Sequence, residues 1–177
     1  MGAAARARCA QLSANAAQSR GEVGLKYGRM KTIVVPVDFS TATTRVCDAA
    51  GALAKLIHAR LLLLHVIQPP AVMMNDYYVF DANLMAAAMA GGEKFATGRL
   101  KALQRRCTRK GLTVQTRHCT GRPVADILAR ATAAKASYIV IGSHGHTAAY
   151  DLLVGSVAQG VLRRSRCPVV VVPMAPH

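Results

Sequence analysis

SYIVIGSHGHTAAYDLLVGSVAQGVLRRSRCPVVVV, Ser137 to Val172, sets a strand, a glycine-rich segment, a helix and a second strand in succession. Ser137 to Ile141 and Pro168 to Val172 are short, apolar and β-branched. Runs of that length without polar alternation belong to strands covered on both faces. Two of them joined through a helix make a parallel βαβ unit.

The same alternation continues toward the N-terminus. Lys31 to Val37 (KTIVVPV) and Arg60 to Ile67 (RLLLLHVI) read as buried strands, and Leu112 to His118 as another. Between the first two, Val46, Ala50, Leu53 and Ile57 recur on one face of a helix over about Thr41 to His58, with Ser40 placed to cap it. A long helix is expected from about Ala82 to Lys110. Met85, Met89, Ala96, Leu100, Leu103 and Cys107 form its apolar stripe, Gly91-Gly92 is a weak point, and Gly111 is the stop. Tyr77, Tyr78 and Phe80 fall in a loop before it. Pro123 opens a further helix, with Asp126 near its positive end. The expected fold is α/β: an open, doubly wound, five-stranded parallel sheet with helices on both faces. Ligands of such sheets bind past the carboxyl ends of the strands at the topological switch point, where Asp38 and the segment from Gly142 onward lie.

Met1 to Arg29 stands apart. It is rich in Ala, Ser, Gln and Arg, lacks aliphatic periodicity, and has neither a core-forming pattern nor the apolar stretch of a secretory signal. It reads as a disordered extension or a start placed too early, leaving 30–177 as one domain. The whole chain has 177 residues and a formal charge of +15. With 52% hydrophobic residues it can bury a core. With 5% aromatics and no Trp it is poorly equipped to stack single-stranded bases. No apolar run reaches the roughly 18 residues of a membrane span. Cys9, Cys47, Cys107, Cys119 and Cys167 are odd in number and dispersed. They read as reduced thiols in a cytoplasm, not as a disulfide frame or zinc site.

Within the opening stretch, Gly142, Gly145, Gly155 and Ser156 make the pattern G-x-x-G-x9-G-[ST]. Glycines let backbone N–H groups approach a phosphate, and a helix start offers further N–H groups and a positive dipole end. Ser156 is expected at the N-cap of the last helix, with Gln159 completing a capping box. Neither G-x-x-x-x-G-K-[ST] nor G-x-G-x-x-G occurs, which removes the main support for P-loop hydrolases and dinucleotide dehydrogenases.

GSHGHTAAYDLLVGSVAQGVLRRSRCPVVVV together with KTIVVPVDFS resembles the universal stress protein family over Met30 to Pro173. The resemblance implies an ATP-binding branch, marked by the complete glycine signature. It implies an adenine pocket at Asp38 and Val66, with Pro36 and Val37 beside Asp38, and a further nucleotide-lining position at Ile141. Phosphate contacts would come from Gly142, His144, Gly145, Gly155, Ser156, Val157 and Ala158. It also implies a homodimer through the last strand, Val169 to Val172, a cytoplasmic stress-response role, and ATP as ligand with Mg2+ or Mn2+ as accompanying ion. Ala158 stands where many relatives carry a polar residue, and His146 where they often carry Arg.

The residues themselves leave other readings open. Asp38 serves equally as a cap for the following helix turn. His144 and His146 fit phosphate contact or solvation better than a metal site, and His65 fits a satisfied core histidine. Eight acids assemble no catalytic set, so hydrolysis is expected to be slow or absent. From Glu93 to Arg117 eight cations face one acid, whereas Gly142 to Ser156 holds no Lys or Arg. The alternative function is therefore an interaction module of the same fold that docks an acidic partner through this basic helix.

Overall fold

The computed structural model describes residues 30–69, 82–143 and 154–173. Nine elements alternate among them: β1 (Lys31–Pro36), α1 (Thr43–Ile57), β2 (Ala59–Ile67), α2 (Ala82–Arg109), β3 (Val114–Thr120), α3 (Pro123–Ala133), β4 (Tyr138–Gly142), α4 (Ser156–Arg164) and β5 (Val169–Val172). All strand pairings are parallel, and the order across the sheet is β3-β2-β1-β4-β5. This is the expected α/β architecture. Chain order reverses between β1 and β4, which is the switch point. The extension 1–29 and the aromatic cluster at Tyr77, Tyr78 and Phe80 lie outside the described residues.

Strand periodicity builds two core layers. Ile33, Val35, Leu61, Leu63 and Val140 pack against Val46, Cys47 and Ala50 of α1 and Leu100 and Cys107 of α2. Val34, Leu62, Leu64, Ile139 and Ile141 pack against Ile127 and Ala131 of α3 and Ala158 and Val161 of α4. Each such side chain contributes about 1.5–3 kcal/mol of burial. Cys47 and Cys107 meet in the first layer as free thiols. Their shared hydrogen bond lowers the Cys107 thiol, and with burial it raises that of Cys47. Cys119 and Cys167 are also free and half-buried, and Cys9 is outside the described residues.

The end of α2 differs from expectation by two residues at the following strand. Gly111 adopts φ 78°, its N–H donates to the Thr108 carbonyl at 2.9 Å, and the Leu112 N–H reaches back to Cys107 at 3.3 Å. That is a Schellman stop. It takes Leu112 for the helix end, and β3 therefore begins at Val114. Leu112 is buried against α1, where Gly51 offers no side chain to oppose it. The helix also runs unbroken through Gly91-Gly92. The edge strand β3 is covered in part by α2: Gln104 Nε2 donates to the Val114 carbonyl at 3.0 Å.

Candidate functional site

β1 delivers its last residues to the switch point. The Val37 N–H donates to the Leu64 carbonyl at 2.8 Å, extending the β1–β2 ladder one residue past the strand. The chain then turns sharply, with Phe39 in the left-handed region at φ 63°. Asp38 Oδ1 holds this turn, accepting from the Ser40 N–H at 3.1 Å and the Thr43 hydroxyl at 3.3 Å. Ser40 is not the cap of α1. Ala42 occupies that position, with no side-chain cap among the described residues, and the Ser40 carbonyl receives the Thr43 N–H. Among the described residues the Ser40 hydroxyl is buried with no hydrogen-bond partner. His65 is half-buried as β2 ends, with Nδ1 2.7 Å from the Val37 carbonyl and its ring 4.3 Å from that of Phe39.

β4 and α4 form the opposite wall. The Ser143 N–H donates to the Val172 carbonyl at 2.8 Å, and the Gly155 N–H donates to the Ser143 carbonyl at 2.7 Å. The two flanks of residues 144–153 are thereby tied together. This tie sets Gly155, extended at φ −58° and ψ 153°, as the N-cap of α4. Ser156 is displaced into the first turn, so the expected capping box does not form: among the described residues no side chain caps the helix, and Gln159 is engaged through its backbone N–H to the Gly155 carbonyl. Helix geometry leaves the N–H groups of Ser156, Val157 and Ala158 without intrahelical acceptors, at the positive end of the dipole.

Between these walls lies a cavity of about 390 Å3, within the range of small-molecule sites. Pro36, Val37 and Asp38 line it from β1, Val66 from β2, Ile141 and Gly142 from β4, and Gly155, Ser156, Val157 and Ala158 from the start of α4. Those ten sequence-nominated residues share one site. His144 and Gly145 lie outside the described residues, as does His146. Ser40, Thr43, His65 and Gln68, with Pro123 and Ile127 of α3, also line it and were not nominated. Of these, Ser40 carried a signal in the DFS triplet, a hydroxyl two residues past the strand-end carboxylate. No Lys or Arg is among the described lining residues, and Asp38 is their one carboxylate. Among the described residues no cluster of three His, Cys, Asp or Glu suits a metal ion. The arrangement can surround an apolar ring with strand-end aliphatics and bind an anion through backbone dipoles.

The family model described as the universal stress protein family matches residues 30–173. Universal stress protein YxiE of Bacillus subtilis is 30% identical over 147 residues, covering 79% of this chain and 97% of that protein. The solved structure of MJ0577 from Methanocaldococcus jannaschii superposes with a TM-score of 0.72 at 24% identity, covering 83% of this chain and 98% of that one. That likeness establishes the fold. A universal stress protein solved in complex with cAMP matches with a TM-score of 0.56 at 26% identity, covering 81% of this chain and 97% of that one.

Proposed function

We infer the function from the premise that this chain belongs to the universal stress protein family. We propose that it is a regulatory protein that binds an adenine nucleotide, ATP, in the switch-point cavity. One observation carries the reading: the N-terminus of α4 shares a cavity with the buried Ser40 hydroxyl, and neither has a side-chain or hydrogen-bond partner among the described residues. Both are unmet hydrogen-bonding capacity, and a ligand rich in oxygen atoms meets it. The binding of cAMP by a relative supports the class of ligand.

In this reading Pro36, Val37, Asp38, Val66 and Ile141 surround the adenine. Gly142, Gly155, Ser156, Val157 and Ala158 receive the phosphates together with His144 and Gly145. Ala158 has no side-chain donor, so its contribution is confined to the backbone. Any Mg2+ or Mn2+ arrives as the counter-ion of the triphosphate. Asp38 Oδ1 is already occupied by Ser40 and Thr43 and is not poised to activate water. Binding is therefore the signal and turnover is slow. The open edge of β5, with Val170 38% exposed, supports homodimerisation through Val169–Val172. Four unpaired thiols among the described residues accord with a reducing cytoplasm.

The test is to denature the purified protein, identify any released nucleotide, and titrate ATP into nucleotide-free protein by calorimetry. Adenine nucleotide in the supernatant, or saturable ATP binding, is expected. Ser40→Ala should weaken binding about 3- to 10-fold, one net hydrogen bond. No released nucleotide and no heat at millimolar ATP would overturn the proposal.

A further inference from the structure

The outer face of α2 carries a second set of chemistry that the cavity does not use. Lys94, Lys101, Arg105 and Arg109 are all exposed. At 3.6 residues per turn they fall within an arc of about 80°, opposite buried Ala96, Leu100 and Cys107. They form a line about 22 Å long. Gly98 and Ala102 lie between them, and a side chain at Gly98 would meet nothing within 4 Å, so the face is flat and open.

The remaining cations of this helix are engaged. Arg106 and Lys110 reach Asp48 of α1 at 2.8 and 2.6 Å. Arg99 lies over the rings of Phe39 and Phe95 at 5.7 and 6.0 Å. The four outer cations make no ion pair among the described residues. Arg109 only lies back along the helix, its Nε donating to the Arg105 carbonyl at 3.4 Å. Like charges four residues apart destabilise a helix. The helix dipole favours cations in the last turn only, which accounts for Arg109 but not for Lys94 or Lys101. The fold gains nothing from the row as a whole.

We propose that this row is a docking surface for double-stranded DNA, engaged through the phosphates of one strand without sequence preference. Lys101, Arg105 and Arg109 rise about 6 Å per step, close to the separation of successive phosphates along a strand. A protein partner would be anchored by a cluster of aromatic or aliphatic side chains, and single strands by several stacking platforms. Beside the row this face offers one exposed ring, Phe95, which already packs edge-on against Phe39 and beneath Arg99. RNA is distinguished by contacts to the 2′-hydroxyl, and Gly98 and Ala102 offer no side-chain group for that.

The experiment is fluorescence anisotropy of a labelled 20-base-pair DNA duplex with the full-length protein, repeated across salt concentrations. Neutralising four phosphates gives a slope of log affinity against log salt near about −3.6, so binding weakens about 100-fold from 50 to 200 mM salt. Lys101→Gln/Arg105→Gln should remove most of the binding and flatten the slope by about 2. Arg163→Gln/Arg166→Gln changes net charge equally on exposed residues elsewhere and should leave the slope unchanged. Lys94→Gln/Lys101→Gln is a second row variant, and thermal melts verify that each variant is folded. Any of four results overturns the proposal: no binding at 50 mM salt, equal loss in the row and control variants, tighter binding of single-stranded DNA or duplex RNA of the same length, or equal competition by polyglutamate. The row variants leave ATP binding untouched, so failure here is separable from failure of the nucleotide reading.

Discussion

The switch-point cavity and the outer face of α2 both suit anions, by opposite physical means. The cavity presents backbone N–H groups and no Lys or Arg among its described lining residues. The helix face presents four exposed cations and no fixed N–H group. Backbone dipoles act over a few ångströms, tolerate salt and demand one geometry. Side-chain cations act over a Debye length, are screened by salt and accept many geometries. A chain can therefore carry a large positive charge that says nothing about its small-molecule site.

The sharpest way to break this comparison is Gly155→Val. A branched side chain at the N-cap of α4 obstructs approach to the N–H groups behind it. ATP affinity measured by calorimetry should fall about 100-fold, equivalent to losing one or two charge-assisted hydrogen bonds. The salt slope of DNA binding should not move. If both change together, the two surfaces are one site.

The next effect concerns support for the two helices. A Cβ at Gly160 of α4 would come within 2.8 Å of Val124 on α3, whereas one at Gly98 of α2 would meet open space. Gly160→Ala should therefore destabilise by about 1–3 kcal/mol through overpacking, unless Val124 yields. Gly98→Ala should stabilise by about 0.5–1 kcal/mol through helix propensity alone. Urea denaturation of the two variants reads opposite signs for the same chemical change.

Much of the layout could be read in advance because it rests on local runs. Apolar strand runs, helical periodicity and the start signals at Pro123 and Gly155-Ser156 located every described element, and ten of the twelve nominated residues line one cavity. The misreadings arose where a hydrogen bond to another group moved an element boundary. Ser156 has the sequence of an N-cap, but the hydrogen bond from Gly155 to Ser143 fixes the helix start one residue earlier. Ser40 likewise has the look of a cap, but the turn held by Asp38 carries the chain on to Ala42 before the helix begins. Leu112 reads as strand until Gly111 folds it back under the helix end. The place of His65 in the cavity depends on β1 pairing with β2, which no local pattern encodes.

The smallest expected effect comes from the boundary between engaged and open cations. The Arg106 guanidinium, and then Lys110, hold the Asp48 carboxyl down to about 2. A depressed carboxylate contributes stability above its ordinary value near 4 and loses it as pH falls toward about 2. Asp48 is 42% exposed, so solvent screening limits the contribution to about 1 kcal/mol or less. Asp48→Asn should lower the urea midpoint slightly at pH 7, and the difference from wild type should shrink as pH falls below about 4 and vanish only below about pH 2. The same variant releases Arg106 and Lys110 and should steepen the DNA salt slope slightly.

The Schellman stop at Gly111 gives α2 a direction of unravelling. Its C-terminal end is clasped by backbone bonds and by Leu112 seated over Gly51. Toward the other end Gly91 has open space around it, and Met85 and Met89 are only half-buried. Partial opening of this helix starts from Ala82 and dies out toward Leu100, as amide hydrogen exchange would record it. Lys101, Arg105 and Arg109 sit on the slow-exchanging half, so their spacing survives local fluctuations that erase the first turns.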